Sequence, residues 1–140
     1  LASIALGEPH TPARPQLFNV LWTIVQRSGG EAAAQHVRAL RAANDPDVGG
    51  NLERLLNVLG YDLLENERAE AALAIFRLNT ELHPQSANVH DSLGEALLRT
   101  GARDAARASY ERALQIDPAS VTARKAMEEL QKAPAAAKRP

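Results

Sequence analysis

The sequence contains no cysteine, and this absence removes several functional classes at once. A disulfide framework, a thiol nucleophile and a cysteine-based zinc site all require cysteine side chains. Cysteine usage is also the main compositional sign of the redox environment in which a protein works. The composition therefore leaves the compartment undetermined.

Aromatic residues and long apolar stretches are scarce as well. Aromatic residues make up 4% of the chain although 45% of its residues are hydrophobic, with alanine abundant. This balance favours helices in close contact over a sheet of β-branched and aromatic residues. The longest apolar-rich stretch, residues 17–25, is about half of the ~20 residues that a membrane-spanning helix needs. The sequence therefore predicts an all-α domain that does not insert into a membrane.

Neither sign of charge dominates. The 140 residues include 16 basic and 17 acidic side chains, interspersed along the chain, for a net charge of −1. A nucleic-acid-binding domain normally carries a basic face or stripe that neutralises phosphates. We therefore expect no nucleic-acid partner.

The common catalytic and nucleotide-binding motifs are also missing. The chain has no Gly-x-Ser-x-Gly, Ser-x-x-Lys, His-Glu-x-x-His, Gly-x-Gly-x-x-Gly or P-loop sequence. Its histidines lack metal-ligand spacing, and His90, Asp91 and Ser92 are consecutive residues that point about 100° apart on a helix. The sequence therefore predicts a chain that is not an enzyme and holds no cofactor or metal.

What the sequence does contain is a pattern that recurs after 34 residues. The second copy reads Leu93-Gly94, Leu97, Ala106, Tyr110, Ala113 and Pro118, and the first reads Leu59-Gly60, Leu63, Ala72, Phe76, Asn79 and Pro84. A period of this length in a helical pattern is typical of a solenoid built from helix pairs. We expect Gly60 and Gly94 to face the alanines of the second helices, where close axes leave no room for a side chain.

Residues between these positions predict where the helices begin and end. Pro84 ends a second helix because the residue before proline avoids the α conformation. Ser86 and Ser120 follow at positions that suit helix N-caps. Asn66 and Gly101 stand at the turns inside the pairs, where Asn or Gly can adopt a positive φ.

Asn79 differs from the rest of the pattern, because the second copy has alanine at the equivalent position. The pattern predicts that this amide is partly buried, and a buried amide needs hydrogen-bond partners. We expect it to bond across the junction between the copies, to the region of residues 88–92.

The segment 53–120 resembles two tandem tetratricopeptide repeats. The resemblance implies a right-handed superhelix of antiparallel helix pairs, in which the first helix of each pair lines a concave groove for a protein or peptide. The implied groove residues are Arg54, Asn57, Tyr61, Leu64, Asn88, Asp91, Glu95, Leu98 and Lys125. Tyr61 and Leu64 would be its anchors, although these positions could also be ordinary solvated or packing residues. Asp91 and Glu95 stand where a carboxylate-binding groove would be basic, which disfavours recognition of a C-terminal carboxylate.

The predicted organisation follows from these boundaries. A proline-rich linker covers residues 1–16, and a helical domain covers residues 17–133, followed by a disordered tail at 134–140. Within the domain we expect a degenerate helix pair at 17–50, repeats at 53–86 and 87–120, and a capping helix at 121–133.

A second resemblance concerns a larger protein from which this chain would derive. Residues 56–64, 76–79 and 88–96, together with Ala5-Leu6-Gly7-Glu8-Pro9, are similar to helical repeats appended to bacterial serine hydrolases of the β-lactamase-like type. The resemblance implies a C-terminal accessory domain of a bacterial enzyme, cytoplasmic or exported, that contacts proteins. The alternative is a structural appendage that packs on its own catalytic domain or self-associates. Since the chain starts at Leu1 without methionine, we expect it to be a fragment.

Overall fold

The computed structural model describes residues 16–132, which form seven α-helices and one short 3₁₀ helix and contain no strand. The helices are α1 (Leu17–Ser28), α2 (Gly30–Ala42), α3 (Leu52–Glu65), α4 (Ala69–Leu82), α5 (Ala87–Arg99), α6 (Arg103–Ile116) and α7 (Val121–Lys132), with the 3₁₀ helix at Pro46–Val48. The predicted all-α class is confirmed. The predicted tail lies outside the described residues, as does the predicted linker apart from Gln16. None of the helices within 16–132 has the length and apolar character required to cross a membrane.

The 34-residue period of the sequence recurs in the backbone. Helices α4 and α6 begin and end 34 residues apart, and α7 begins 34 residues after α5. The bond that closes the turn inside each pair recurs too, from the Arg68 amide to the Leu63 carbonyl at 2.8 Å and from the Ala102 amide to the Leu97 carbonyl at 2.9 Å. The pairs α3–α4 and α5–α6 are therefore built alike.

Each of these pairs crosses at a glycine, but the glycine meets an aromatic ring. A Cβ built on Gly60 would lie 2.6 Å from Cζ of Phe76, and one on Gly94 would lie 2.9 Å from Cε1 of Tyr110. The prediction that these glycines face the alanines was therefore wrong by one helical turn. The ring four residues further along α4 or α6 is long enough to lie across the crossing, and it fills the space that the missing side chain leaves.

The first helix pair packs differently from the other two. Helix α2 packs mainly on α4, whereas α4 packs on α5 and α6 packs on α7. A small residue permits this contact, because a Cβ on Gly30 would lie 2.6 Å from the Cα of Ala71. The pair α1–α2 therefore joins the domain through its second helix.

The start of the last helix is capped as the sequence predicts, whereas that of α5 is not. The Ala123 amide donates to Oγ of Ser120 at 3.3 Å. Ser86 occupies the N-cap position of α5 but makes no side-chain capping bond, since its hydroxyl donates to Oε1 of Glu53 at 2.8 Å. Helix α7 buries Leu130, while Val121, expected on its apolar side, is 75% exposed.

The turns inside the pairs use a left-handed residue, one position later than predicted in the first copy. Gly101 has φ of 86° as expected, but the equivalent residue is Glu67 at 59°, and Asn66 has φ of −94°. The left-handed conformation costs a residue with a Cβ roughly 1–2 kcal/mol. The turn of the first copy is therefore strained.

Replacing Glu67 by glycine should relieve this strain. The larger entropy of glycine in the unfolded chain offsets about 0.5–1 kcal/mol of the relief. We therefore expect Glu67→Gly to raise the free energy of unfolding by about 0.5 kcal/mol, and the reciprocal Gly101→Ala to lower it by more. Urea denaturation followed by circular dichroism measures both. A lower unfolding midpoint for Glu67→Gly would show that the turn is not strained.

Candidate binding face

Two side-chain contacts join α3 and α5 at equivalent positions of the two copies. The Tyr61 hydroxyl donates to Oε2 of Glu95 at 2.8 Å, and Nη2 of Arg99 lies 3.1 Å from Oε1 of Glu65. Both contacts join residues that are 34 positions apart, so the first helices lie side by side in register. We define the α3/α5 face as Arg54, Asn57, Tyr61, Asn88, Asp91 and Glu95.

Leu64 was predicted as an exposed anchor, and this was wrong. Its side chain is 9% exposed and belongs to the main hydrophobic core. Leu64 lies four residues after Gly60, on the side of α3 that approaches the next helices, so the apolar stripe is wider than the spacing of the other leucines indicated. Leu98 is also partly buried and packs against the second core cluster.

Tyr61 is a positioning residue of this face rather than a free aromatic anchor. Its ring is half-buried and packs edge-on against Phe76, with centroids 5.1 Å apart and an interplanar angle of 76°. Burial and the neighbouring Glu95 raise the pKa of Tyr61 to about 12, although a hydrogen bond from Ser92 opposes the rise. The hydroxyl is therefore protonated at neutral pH and holds the Glu95 carboxylate in place.

Two oxygens on the face are enclosed without a donor. Oδ1 of Asn57 and Oδ1 of Asp91 have no hydrogen-bond partner among the described residues, although each is shielded from solvent. Burial raises the pKa of the Asp91 carboxyl, and Glu95 raises it further, while the Thr122 hydroxyl on α7 favours the ionised form. A buried acceptor without a partner costs about 1–3 kcal/mol. This cost falls at the same position in both copies.

The remaining predicted residues are solvent-exposed. Arg54, Asn88 and Lys125 project into solvent, and no ion pair joins Lys125 to Asp91 or Glu95. The sequence analysis missed Thr122, which the 34-residue period places one copy after Asn88. It also missed Ser92, which is buried beside Tyr61.

Asn79 holds the two first helices at their junction, by a route that differs from the prediction. The side chain is 1% exposed, as its predicted burial requires. Its Nδ2 donates to the Glu53 carbonyl at 2.9 Å, and its Oδ1 lies 2.8 Å from Nδ1 of His83. No printed bond reaches residues 88–92, so that part of the prediction was wrong. The link to α5 runs instead through the Glu53 carboxylate, which accepts from Ser86.

A pocket of about 630 Å³ lies elsewhere, between the α1–α2 turn and the start of α4. The amino ends of α2 and α4 meet there, which would suit an anion. Glu31, Glu67 and Glu70 line the same pocket, and their carboxylates oppose an anion. Within residues 16–132, no group of three or more acidic or histidine side chains could hold a metal ion. The α3/α5 face is therefore the stronger candidate.

Searches of protein-family models and of curated proteins returned no match to this chain. Support for a function therefore comes from the residues of the face and from the repeat.

Proposed function

We propose that this chain is a non-catalytic protein-interaction module of the tetratricopeptide type. In this proposal the helix pairs form a right-handed superhelix, α7 closes its end, and the α3/α5 face binds a protein or peptide. The observation that carries the proposal is the row of polar side chains on α3 and α5, held in register by the Tyr61–Glu95 bond and containing two acceptors without donors.

The unpaired acceptors distinguish a binding surface from an ordinary solvated one. A face that only meets water would expose its polar atoms, and a face that only packs would satisfy them internally. The α3/α5 face does neither at Asn57 and Asp91. Departures from complete hydrogen bonding are concentrated at functional sites, where a ligand provides the missing group.

The larger protein is also part of the proposal. The similarity of residues 56–64 and 88–96 to repeats behind bacterial serine hydrolases supports a C-terminal accessory domain of such an enzyme. The partner would then be the enzyme's own catalytic domain, a second copy of the chain or another protein.

A second candidate function is that of a structural appendage. Helix α1 packs on α2 and α3, but Val20 and Ile24 on its other flank remain partly exposed and, with Asn19 and Thr23, line an apolar hollow. Exposed apolar surface of this kind is common where a domain meets a neighbour. The neighbour would be a catalytic domain or a second copy.

Charge reversal on the face tests the leading proposal. Proteins captured by the immobilised chain would be identified, purified and titrated against the wild type, Glu95→Arg and Glu111→Arg. Glu111 is an exposed control on α6. We expect Glu95→Arg to weaken binding by about tenfold or more, since reversing an interface charge costs at least ~1.4 kcal/mol, and Glu111→Arg to leave it unchanged.

The opposite pattern would favour the appendage. If Ile24→Glu abolishes association with a partner or a second copy while Glu95→Arg does not, the contact surface is the flank of α1. Sedimentation velocity of the chain alone would then show whether the partner is a second copy.

A further inference from the structure

The charges on the α3/α5 face do not cancel at its centre. Arg99 is paired with Glu65 at one end of the face, and this pair neutralises itself. Asp91 and Glu95 then remain, and the only side chain bonded to Glu95 is the neutral Tyr61 hydroxyl. No ion pair among the described residues reaches either carboxylate. The centre of the face therefore carries negative charge without a counter-charge from the chain.

The unpaired atoms have the same chemical character. Oδ1 of Asn57 and Oδ1 of Asp91 are both hydrogen-bond acceptors, and both lack a donor. Asn57 carries no charge, so its orphaned oxygen is an observation independent of the acidic pair. A ligand that completes this face must therefore donate hydrogen bonds and carry positive charge.

We propose that the α3/α5 face recognises an arginine side chain presented by a protein partner. This inference rests on the proposed interaction function and names the chemistry of its partner. The guanidinium would lie between α3 and α5, pair with the Glu95 carboxylate and donate toward the oxygens of Asp91 and Asn57.

Arginine fits the face better than other cations. Its planar guanidinium carries five N–H donors in a fixed fork, which matches two carboxylates and a carbonyl at once. A lysine ammonium is a compact, strongly hydrated point charge that meets fewer spread acceptors. A metal ion would need a third ionised ligand, and the described residues contain no such group.

A titration with a short peptide tests this inference. The isotope-labelled chain would be titrated with acetyl-Gly-Arg-Gly-amide and with its citrulline analogue, which has the same shape but no charge. We expect the arginine peptide to shift the amide resonances of α3 and α5 in a saturable way, and the citrulline peptide to have little effect. Losing a charged hydrogen bond in Glu95→Gln should weaken binding by about tenfold.

Matched variants distinguish a site from diffuse attraction. Asp91→Asn combined with Glu95→Gln should abolish the shifts, while Asp104→Asn combined with Glu111→Gln on α6 should retain them. Equal binding of both peptides, or an equal loss in the α6 variant, would overturn the inference. If the arginine peptide fails to bind but Glu95→Arg still releases a captured partner, the inference is wrong and the proposed function stands. If neither measurement responds, both are wrong.

Discussion

Gly60→Leu is expected to lower the free energy of unfolding by about 3 kcal/mol, at the upper end of the range for overpacked cores. A Cβ alone would lie 2.6 Å from Cζ of Phe76, whose ring is fully buried and cannot move into solvent. Leucine adds three further carbons to this contact. Removing glycine from a helix gains only about 0.5–1 kcal/mol, so the clash dominates.

Gly50 provides the matched control, because a Cβ built there meets no atom within 4 Å. We expect Gly50→Leu to change stability by less than about 0.5 kcal/mol. Urea denaturation monitored by circular dichroism measures both variants.

A double-mutant cycle identifies the residue that Gly60 meets. Phe76→Ala alone should cost about 3–5 kcal/mol, since it leaves a cavity at the crossing. In the double variant the new leucine fills part of that cavity, so the two losses should fall short of additivity by about 1–3 kcal/mol. The same cycle at Gly94 and Tyr110 should behave alike. Additive losses at both crossings would contradict the packing described here.

Asn79→Ala is expected to cost about 2 kcal/mol. The change removes a donor to the Glu53 carbonyl and an acceptor for His83, each bond contributing about 0.5–1.5 kcal/mol. Alanine has the higher helix propensity, but its advantage of at most ~0.7 kcal/mol is smaller than this loss.

Asn88→Ala is the control for this change, because Asn88 is an exposed asparagine at the start of α5. Its replacement should leave the thermal unfolding midpoint nearly unchanged. An Asn79→Ala variant as stable as the wild type would show that the amide is merely tolerated in the core.

The fold could be predicted where single residues dictate local backbone. Pro84 ends α4 close to the expected position, and Gly101 takes the positive φ that the repeat requires. The 34-residue period also placed Asn57 beside Asp91 and Tyr61 beside Glu95 in equivalent positions, which the Tyr61–Glu95 bond confirms for the second pair.

The remaining features depend on distances between helices, which the sequence pattern does not contain. The ring of Phe76 reaches across the crossing to Gly60, and only the relative placement of α3 and α4 decides this. Leu64 is buried because neighbouring helices cover a wide side of α3. Asn79 can reach either α3 or α5, and its bond to Glu53 follows from which helix lies nearer.

Carboxyl footprinting of the chain, free and bound to a captured partner, tests most directly whether the α3/α5 face is the recognition surface. Glycine amide coupling labels accessible carboxylates, and Glu95 and Glu111 are both exposed in the free chain. The account predicts that the partner protects Glu95 and leaves Glu111 labelled as before. Unchanged labelling of Glu95 in the complex, with protection elsewhere on the chain, would contradict it.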